Sequence, residues 1–503
     1  MSRRPKKAPR KNTGVIVVLI LMMLVFIASS ALMVKLCLDL AGQGVTIRSD
    51  SSETITLPTA PETEATEAPP ETTVPVPEHV VSTATILSTG DILMHKPVID
   101  VNWSKESSSY DFESIFRYIT EDVTAADYAV ANLETTLAGT TNGYQYSGYP
   151  NFNCPDEIVD GAKEAGFDML LNGNNHSYDT SSVGMHRTIE IIRDRELDHI
   201  GFVDNEEEKR YLVKEINGIH IGMICYTYET DTNADRVALN GLPVKAEDKN
   251  LVNAFDYTAL DTFYNELSGH LESMKADGAE ATILYIHWGD EYQLKQNANQ
   301  TKIAQKLCDL GIDVIIGGHP HVVQPMALLE STVDPEHKTV CLYSMGNAVS
   351  NQRQGNLTAI STAHTEDGVL FSVTFSKYSD GTVYLESADL LPVWVYRRSD
   401  GTGNEYNMLP LHIDEADSWL EDFNLKENGV TAAKNSHART MAIVEEGLTA
   451  CQTYLQEQFE AREQYYYDLA FNPEKFATEA TEAPTEAATE AAVETTDSTE
   501  PTA

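Results

Sequence analysis

The segment TKIAQKLCDLGIDVIIGGHPH (Thr301–His321) decides the fold class, because it predicts a helix followed by a short buried strand. The helical pattern ends near Gly311, and the apolar run that follows ends at a glycine pair. Similar helix and strand patterns recur between residues 82 and 400, together with two hairpins that turn at Asn217-Gly218 and Asp380-Gly381. This mixture of βα units and hairpins predicts a layered α/β domain with partly antiparallel sheets.

Polar residues follow the predicted strands at the points where ligands of α/β domains collect. They are Asp91, Glu134, Asn172, Asn174, Asn175, His176, His287, Glu291, His319 and His321, with Gly346 and Asn347 after a further strand. Each has an ordinary alternative, such as a turn aspartate, a surface acid, an asparagine bonded to backbone or a core histidine. Together, carboxylates, an amide oxygen and imidazoles form the oxygen and nitrogen set that suits Zn, Mn or Fe. The sequence therefore predicts a divalent metal site.

His319 and His321 are the strongest pair in this set. Residues two apart in an extended segment point the same way. Pro320 has a fixed φ and biases the residue before it towards extended backbone. We therefore expect both imidazoles to reach one metal centre.

The first residues differ from the rest of the chain in charge. Residues 1–12 are basic and contain no acid, and Thr13–Val34 carries no charge. About 20 apolar residues span a bilayer, whereas the apolar part of a cleaved signal needs only about 7–15. We expect an uncleaved transmembrane anchor over 13–36. Basic residues before it keep the N-terminus cytoplasmic, which predicts a single-pass cell-membrane protein whose main domain is extracellular.

Two segments are rich in Thr, Glu, Pro and Ala, and both contain the heptapeptide TEATEAP. We expect a disordered stalk over 42–80 and a disordered acidic tail over 477–503, because neither can bury enough apolar surface to fold. The alternative, that the tail binds a specific partner, stays open. Between the main domain and the tail, residues 401–476 predict a helical appendage.

The net charge of -42 disfavours nucleic acid as a partner, because a phosphate backbone is bound by exposed Lys and Arg. The six cysteines form no metal-binding cluster. We expect buried thiols at Cys225, Cys308 and Cys341, although an extracellular compartment permits disulfides that the sequence does not pair.

The order of the motifs resembles that of a known family. The motifs are Gly90-Asp91, Asn132-Leu133-Glu134, Asn174-Asn175-His176 with Asp179, His287-Trp288-Gly289 with Glu291, Gly318-His319-Pro320-His321 and Gly346-Asn347. They resemble the signature of the CapA proteins, which are capsule-synthesis and poly-γ-glutamate-associated relatives of the calcineurin-like metallophosphoesterases. The resemblance covers about residues 82–395.

The resemblance implies a four-layer α/β/β/α sandwich with a centre of two divalent metals. Its ligands would be Asp91, Glu134, Asn175, His287, His319 and His321. His176, with Asp179 in the same motif, would protonate the leaving group or orient the phosphate. One position departs from the wider superfamily, which begins with Asp-x-His, because Leu93 stands at the histidine position. His95 could substitute for the missing histidine, or it could face solvent.

The motifs and the resemblance are consistent with three alternative functions. The first is a metal-dependent phosphoesterase-like hydrolase that acts on an anionic polymer or phosphoester. The second is a non-catalytic subunit that holds or guides a surface polymer, working with other membrane subunits of a capsule-synthesis complex. The third is a binding-only surface protein.

Overall fold

The computed structural model describes residues 79–230, 237–357, 360–399 and 404–475. The strands are β1 (Val80–Ile92), β2 (Trp103–Ser104), β3 (Ser109–Tyr110), β4 (Tyr128–Leu133), β5 (Met169–Leu171), β6 (Asp198–Ile200), β7 (Leu212–Ile216), β8 (Ile219–Tyr228), β9 (Ala238–Leu239), β10 (Leu242–Pro243), β11 (Ala254–Phe255), β12 (Ala281–His287), β13 (Val314–Gly318), β14 (Met326–Glu330), β15 (Lys338–Leu342), β16 (Asn347–Val349), β17 (Asp367–Tyr378), β18 (Val383–Ser399) and β19 (Asn404–Pro410). The helices are α1 (Lys96–Val101), α2 (Glu113–Phe116), α3 (Thr120–Thr124), α4 (Glu157–Glu164), α5 (Ser181–Asp194), α6 (Leu260–Ala276), α7 (Ala298–Asp309), α8 (Trp419–Asp422) and α9 (Glu427–Phe471).

Two large mixed sheets carry the fold. The first has the order β19-β18-β17-β1-β4-β5-β6, and β16 also pairs with β1. The second has the order β11-β8-β12-β13-β15-β14, and β7 also pairs with β8. In both, a parallel centre is extended by antiparallel strands, as in β17 beside β1 and β14 beside β15. The prediction of a mixed α/β domain is confirmed, and so are the hairpins at Asn217-Gly218 and Asp380-Gly381.

The strands are apolar on both faces because helices cover the outside of each sheet. Along β12, Ile283 and Tyr285 lie in a core between the two sheets, whereas Leu284 and Ile286 lie in a core shared with α6 and α7. Side chains along the strands of the first sheet alternate in the same way. Those on its outer face form a core with residues of α1, α2, α4 and α5. Side chains alternate along a strand, so a sheet covered on both faces needs apolar residues at both sets of positions.

The C-terminal residues join this architecture rather than standing apart from it. Val444, Leu448 and Cys451 of α9 are buried in the core between the sheets. Asn404–Pro410 lies in the segment predicted to be helical but forms the edge strand β19, because Tyr406 and Met408 are buried against the first sheet.

The predicted basic tail, anchor and acidic tail lie outside the described residues, as does nearly all of the predicted stalk. Within the ranges given above, no helix combines the length and apolarity needed to cross a membrane. Cys225, Cys308 and Cys341 are buried free thiols, as expected.

Candidate metal centre

The candidate ligands lie where the carboxyl ends of both sheets meet. Asp91 is the penultimate residue of β1, Glu134 follows β4, and Asn175 lies just beyond β5. From the second sheet, His287 ends β12, while His319 and His321 follow β13. All six side chains are buried, with exposed fractions of at most 4%.

Two glycines allow the strand ends to approach this closely. A Cβ atom at Gly90 would lie 2.0 Å from the carbonyl oxygen of Gly346. A Cβ atom at Gly318 would lie 3.1 Å from Asp91 Oδ1 and 3.2 Å from His287 Nδ1. The contact at Gly90 leaves no room for a side chain, so packing requires glycine beside Asp91. A side chain at Gly318 would instead press on Asp91 and His287 and displace them by a few tenths of an ångström.

The backbone of the two histidines after β13 differs from the sequence prediction. His319 has φ of 93° and His321 has φ of 55°, so neither residue is extended. The local bias of Pro320 is outweighed by packing at the sheet edge, and such backbone costs about 1–3 kcal/mol for a residue with a side chain. Both imidazoles nevertheless turn to the same centre, with ring centroids 5.9 Å apart.

Asp91 and His321 form one half of the cluster. Asp91 Oδ2 lies 3.1 Å from His321 Nδ1, and Asp91 Oδ1 accepts a 2.8 Å hydrogen bond from Asn132. Burial alone would raise the pKa of Asp91, but the hydrogen bond and charge of His321 hold it below its usual range. Burial alone would lower the pKa of His321, but the contact with Asp91 raises it. The pair therefore favours a carboxylate beside an imidazolium.

Glu134 lies at the centre of the cluster. Its Oε1 is 3.3 Å from His287 Nε2, and its Oε2 is 3.9 Å from His321 Nδ1. Both oxygens are buried without a hydrogen-bond partner among the described residues. Burial, followed by the charges of Asp91 and Glu291, raises the pKa of Glu134 well above its usual value.

His287 and Asn175 form the other half. His287 Nε2 lies 2.8 Å from Asn175 Oδ1 and 3.3 Å from Glu134 Oε1. Burial lowers the pKa of His287 to about 3. Burial also lowers the pKa of His319 and keeps it neutral, and its Nδ1 atom has no hydrogen-bond partner in the described part of the chain.

Glu134, His319 and His321 form a possible metal-binding triad, with ligand atoms that lie within 4.8 Å of one another. An unsatisfied buried carboxylate and an unsatisfied buried imidazole nitrogen are costly without a partner. A divalent cation would satisfy both, because His319 is already in the neutral form that binds metals and His321 would release its proton when the ion binds. The residues present therefore fit a metal ion.

The predicted acid and its neighbour lie beside the cluster as a bonded pair. His176 Nδ1 lies 2.7 Å from Asp179 Oδ2. Asp179 Oδ1 accepts a 2.8 Å hydrogen bond from the side chain of Asn240, and Asp179 Oδ2 accepts one of 2.6 Å from the backbone of Phe152. His176 Nδ1 also lies 3.2 Å from the amide nitrogen of Asn240, but the shorter contact with Asp179 favours a proton on Nδ1, which leaves Nε2 for a bound ligand.

Asn240 was not predicted from the sequence. It lies with Gly241 in the two-residue turn between β9 and β10, where both residues have positive φ. An Asn-Gly pair is a turn signal, but nothing local indicates which distant carboxylate the asparagine will contact. Tyr228 and Tyr292 were also missed. Their rings lie 4.8 Å from that of His319 and 6.2 Å from that of His321, respectively.

Asn174 and Asn347 support the ends of the strands that carry the ligands, whereas Asn172 does not. Asn174 donates hydrogen bonds to Asn132 Oδ1 and to the carbonyl oxygen of Leu133. Asn347 Oδ1 lies 3.2 Å from His321 Nδ1, and its amide group donates to the carbonyl oxygen of Thr365. Asn172 Oδ1 instead accepts from the backbone of Phe202, which is a structural role.

Three further sequence candidates lie at or near the edge of the site. Leu93 is buried, with 1% of its surface exposed. His95 is half-buried, its Nδ1 atom lies 3.2 Å from the carbonyl oxygen of Leu93, and it accepts a hydrogen bond from the backbone of Asn351. Burial lowers the pKa of His95 to about 4. Glu291 is exposed and acts on Glu134 only through its charge.

The chain is similar to a protein family, to two characterised relatives and to a solved structure. The family model described as bacterial capsule synthesis protein PGA_cap matches residues 85–352, which contain all the candidate metal and catalytic residues. Capsule biosynthesis protein CapA of Bacillus anthracis is 26% identical over 286 residues, which are 56% of this chain and 63% of that protein. PGA biosynthesis protein CapA of Bacillus subtilis (strain 168) is 27% identical over 265 residues, which are 52% of this chain and 62% of that protein. The chain thus covers less than two thirds of either relative.

The crystal structure of TT1561 of Thermus thermophilus aligns with 57% of this chain and 94% of that chain, at 10% identity and a TM-score of 0.30.

Proposed function

The chain belongs to the bacterial capsule synthesis protein family PGA_cap, and on that premise we propose that it serves capsule synthesis through a metal-dependent, phosphoesterase-like hydrolase site. The observation that carries this proposal is the Glu134 carboxylate, which is fully buried among three histidines without a hydrogen-bond partner in the described residues. A purely structural core would have no reason to keep an unsatisfied acid at this position.

The metal ligands would be Asp91, Glu134, Asn175, His287, His319 and His321. Two pairs lie around Glu134, one of Asp91 and His321 and the other of Asn175 and His287. His319 lies close enough to Glu134 and His321 to share an ion with them. This division supports two divalent ions, of Zn, Mn or Fe, in a four-layer metallophosphoesterase-like sandwich. Bound ions would polarise an ester oxygen and lower the pKa of a water molecule.

Residues of the chain itself would bind and orient the substrate and would transfer a proton to it. The hydrogen bond to Asp179 holds His176 Nδ1, so Nε2 is the nitrogen that would protonate a leaving group or bind a phosphate oxygen. Phe152 packs edge-on against the His176 ring, at 4.7 Å between centroids, and limits its rotation. The ring of Tyr228 would exclude water beside His319.

The substrate would be an anionic polymer or a phosphoester. The poly-γ-glutamate relation comes from the relatives described as CapA, one of which is a PGA biosynthesis protein. Metal ions would counter the repulsion between such a substrate and a chain of net charge -42. The chain would be anchored in the cell membrane through 13–36, with its main domain outside the cell and with other membrane subunits as partners.

A second function is favoured by Leu93. A buried leucine at this position replaces the histidine of the superfamily's first motif, Asp-x-His, and His95 is engaged by backbone groups instead of supplying it. A weakened site would suit a non-catalytic subunit that uses the metal domain to hold or guide the polymer.

One experiment separates the two functions. Full-length wild type, Asp91→Asn and His319→Gly would be compared for metal content, for Mn²⁺-dependent hydrolysis of bis(p-nitrophenyl) phosphate, and for restoration of capsule in a deletion strain. The hydrolase predicts that both variants lose metal, hydrolysis and capsule. Variants that lose metal but restore capsule would establish the non-catalytic role. Variants that keep full metal content and hydrolysis would exclude the proposed centre.

A further inference from the structure

The long C-terminal helix α9 reaches one buried carboxylate next to the candidate centre. Asp367, the first residue of β17, has 1% of its surface exposed. It accepts hydrogen bonds from Arg439 Nε at 2.8 Å, Arg439 Nη2 at 2.6 Å and Ser436 Oγ at 2.6 Å. Three donors from one helix fix the position of this carboxylate, and bidentate arginine pairing adds geometric specificity.

The backbone around Asp367 packs tightly against the segment Gly346–Asn347. A Cβ atom at Gly346 would lie 2.5 Å from the carbonyl oxygen of Asp367. A Cβ atom at Gly368 would lie 2.2 Å from the carbonyl oxygen of Asn347. The side chain of Asn347 also donates a 3.0 Å hydrogen bond to the carbonyl oxygen of Thr365. A displacement of Asp367 would therefore be transmitted to Gly346 and Asn347.

Gly346 and Asn347 in turn contact two candidate ligands. The carbonyl oxygen of Gly346 accepts a 3.0 Å hydrogen bond from the backbone N–H of Asp91. Asn347 Oδ1 lies 3.2 Å from His321 Nδ1. The contacts thus run without a gap from α9 through Asp367 to Asp91 and His321.

On the basis of the metal-dependent function proposed above, we propose that Arg439 and Ser436 are positioning residues of the metal centre and act through Asp367 to order Asp91 and His321. Both lie beyond residues 85–352, the part that the family model matches. Outer groups that orient ligands typically change metal affinity about 10–100-fold when they are removed. Helix α9 then positions the metal ligands in addition to packing against the core.

The alternative is that α9 only stabilises the fold, and the same helix offers a matched control for it. Arg462 donates a 2.8 Å hydrogen bond to Glu386, and both side chains are largely buried. This pair lies about 35 Å further along the helix, since each residue adds about 1.5 Å. Removing either arginine leaves a largely buried acid with a hydroxyl partner but without its charged partner. Only Arg439, of the two, bonds to an acid that packs against the site.

The test compares the full-length wild type with Arg439→Ala, Arg439→Lys, Ser436→Ala and Arg462→Ala, purified in mild detergent. Hydrogen exchange, followed by mass spectrometry without added metal, is measured in peptides that cover His319–Gln324 and Met345–Val349. We expect exchange about tenfold faster in Arg439→Ala and about threefold faster in Ser436→Ala, with Arg439→Lys between them and Arg462→Ala like the wild type. If Arg439→Ala does not fold, the two milder variants decide the result.

A second readout is the Mn²⁺ dissociation constant measured by titration calorimetry, which we expect to rise at least about tenfold in Arg439→Ala and less than about twofold in Arg462→Ala. Equal exchange in all variants would overturn the proposal, and so would equal acceleration in Arg439→Ala and Arg462→Ala. A wild type that binds no Mn²⁺ would count against the metal centre, while the exchange data would still decide the role of the helix.

Discussion

Asp91 Oδ2 lies 3.1 Å from His321 Nδ1, although 230 positions separate the two residues in the chain. The contact joins the carboxyl end of the first sheet to that of the second, because Asp91 is in β1 and His321 follows β13. Glu134 lies next to this pair and has no hydrogen-bond partner in the described residues. The cluster therefore combines one satisfied acid with one unsatisfied acid, and the two should respond differently to pH and to metal.

Glu134→Gln should stabilise the metal-free protein at pH 8. Burial raises the pKa of Glu134 well above its unfolded value of 4.5, so ionisation is less favourable in the folded state. The penalty is present above the folded pKa and vanishes as the pH falls below about 4.5, where the acid is protonated in both states. We expect a gain of about 1–3 kcal/mol in the free energy of unfolding at pH 8 and no gain at about pH 4. Urea unfolding with a chelator present measures both values.

The exposed Glu291 provides the control for this pH effect, because it lies near Glu134 but is in contact with water. Glu291→Gln should stabilise the protein by less than about 0.5 kcal/mol at pH 8, because solvent screens the charge through which it acts on Glu134, and should have no effect at about pH 4. A Glu134→Gln protein that is less stable than the wild type at pH 8 would contradict the prediction.

Metal should stabilise the wild type but not His319→Gly. Glycine accepts the φ of 93° at position 319, so this variant removes the imidazole without adding backbone strain. At a Mn²⁺ concentration about 100 times the dissociation constant, we expect the wild type to gain about 2.7 kcal/mol. Thermal unfolding with Mn²⁺ and with a chelator measures the difference. His220→Ala, which changes a half-exposed histidine, should retain the full gain.

His176→Ala should separate chemistry from metal binding. The imidazole is held by Asp179 and does not belong to the triad of Glu134, His319 and His321. We expect kcat for a phosphodiester to fall by about 10²–10⁴, as for the loss of a general acid, while metal content stays unchanged. Steady-state kinetics and elemental analysis on the same preparation check both parts. A loss of metal in His176→Ala would instead assign the residue to the ligand set.

The sequence identifies candidate ligands where each follows an apolar run that predicts a strand, as Asp91, Glu134 and His287 do. It does not predict the backbone at His319 and His321, because the bias of Pro320 is local and the packing that overrides it is not. For the same reason it does not predict the contacts of Asn240 with Asp179 or of Arg439 with Asp367, which join distant parts of the chain. Residue type and period are local properties, whereas these contacts exist only after both sheets have formed.

Gly90→Ala should lower both the free energy of unfolding and the metal affinity, whereas Gly269→Ala should raise the free energy of unfolding. A Cβ atom at Gly90 would lie 2.0 Å from the carbonyl oxygen of Gly346, so β1 and the Gly346 segment must separate. We expect a loss of about 1–3 kcal/mol from overpacking, and weaker metal binding because Asp91 moves with the strand. Gly269 lies inside α6, and nothing beyond the backbone of its own helix and its chain neighbours lies within 4 Å of its Cβ position. Alanine there should add about 0.5–1 kcal/mol through helix propensity. Urea unfolding and Mn²⁺ titration of the two variants measure both effects. A Gly90→Ala protein with wild-type stability and metal affinity would show that β1 and the Gly346 segment do not need this close contact.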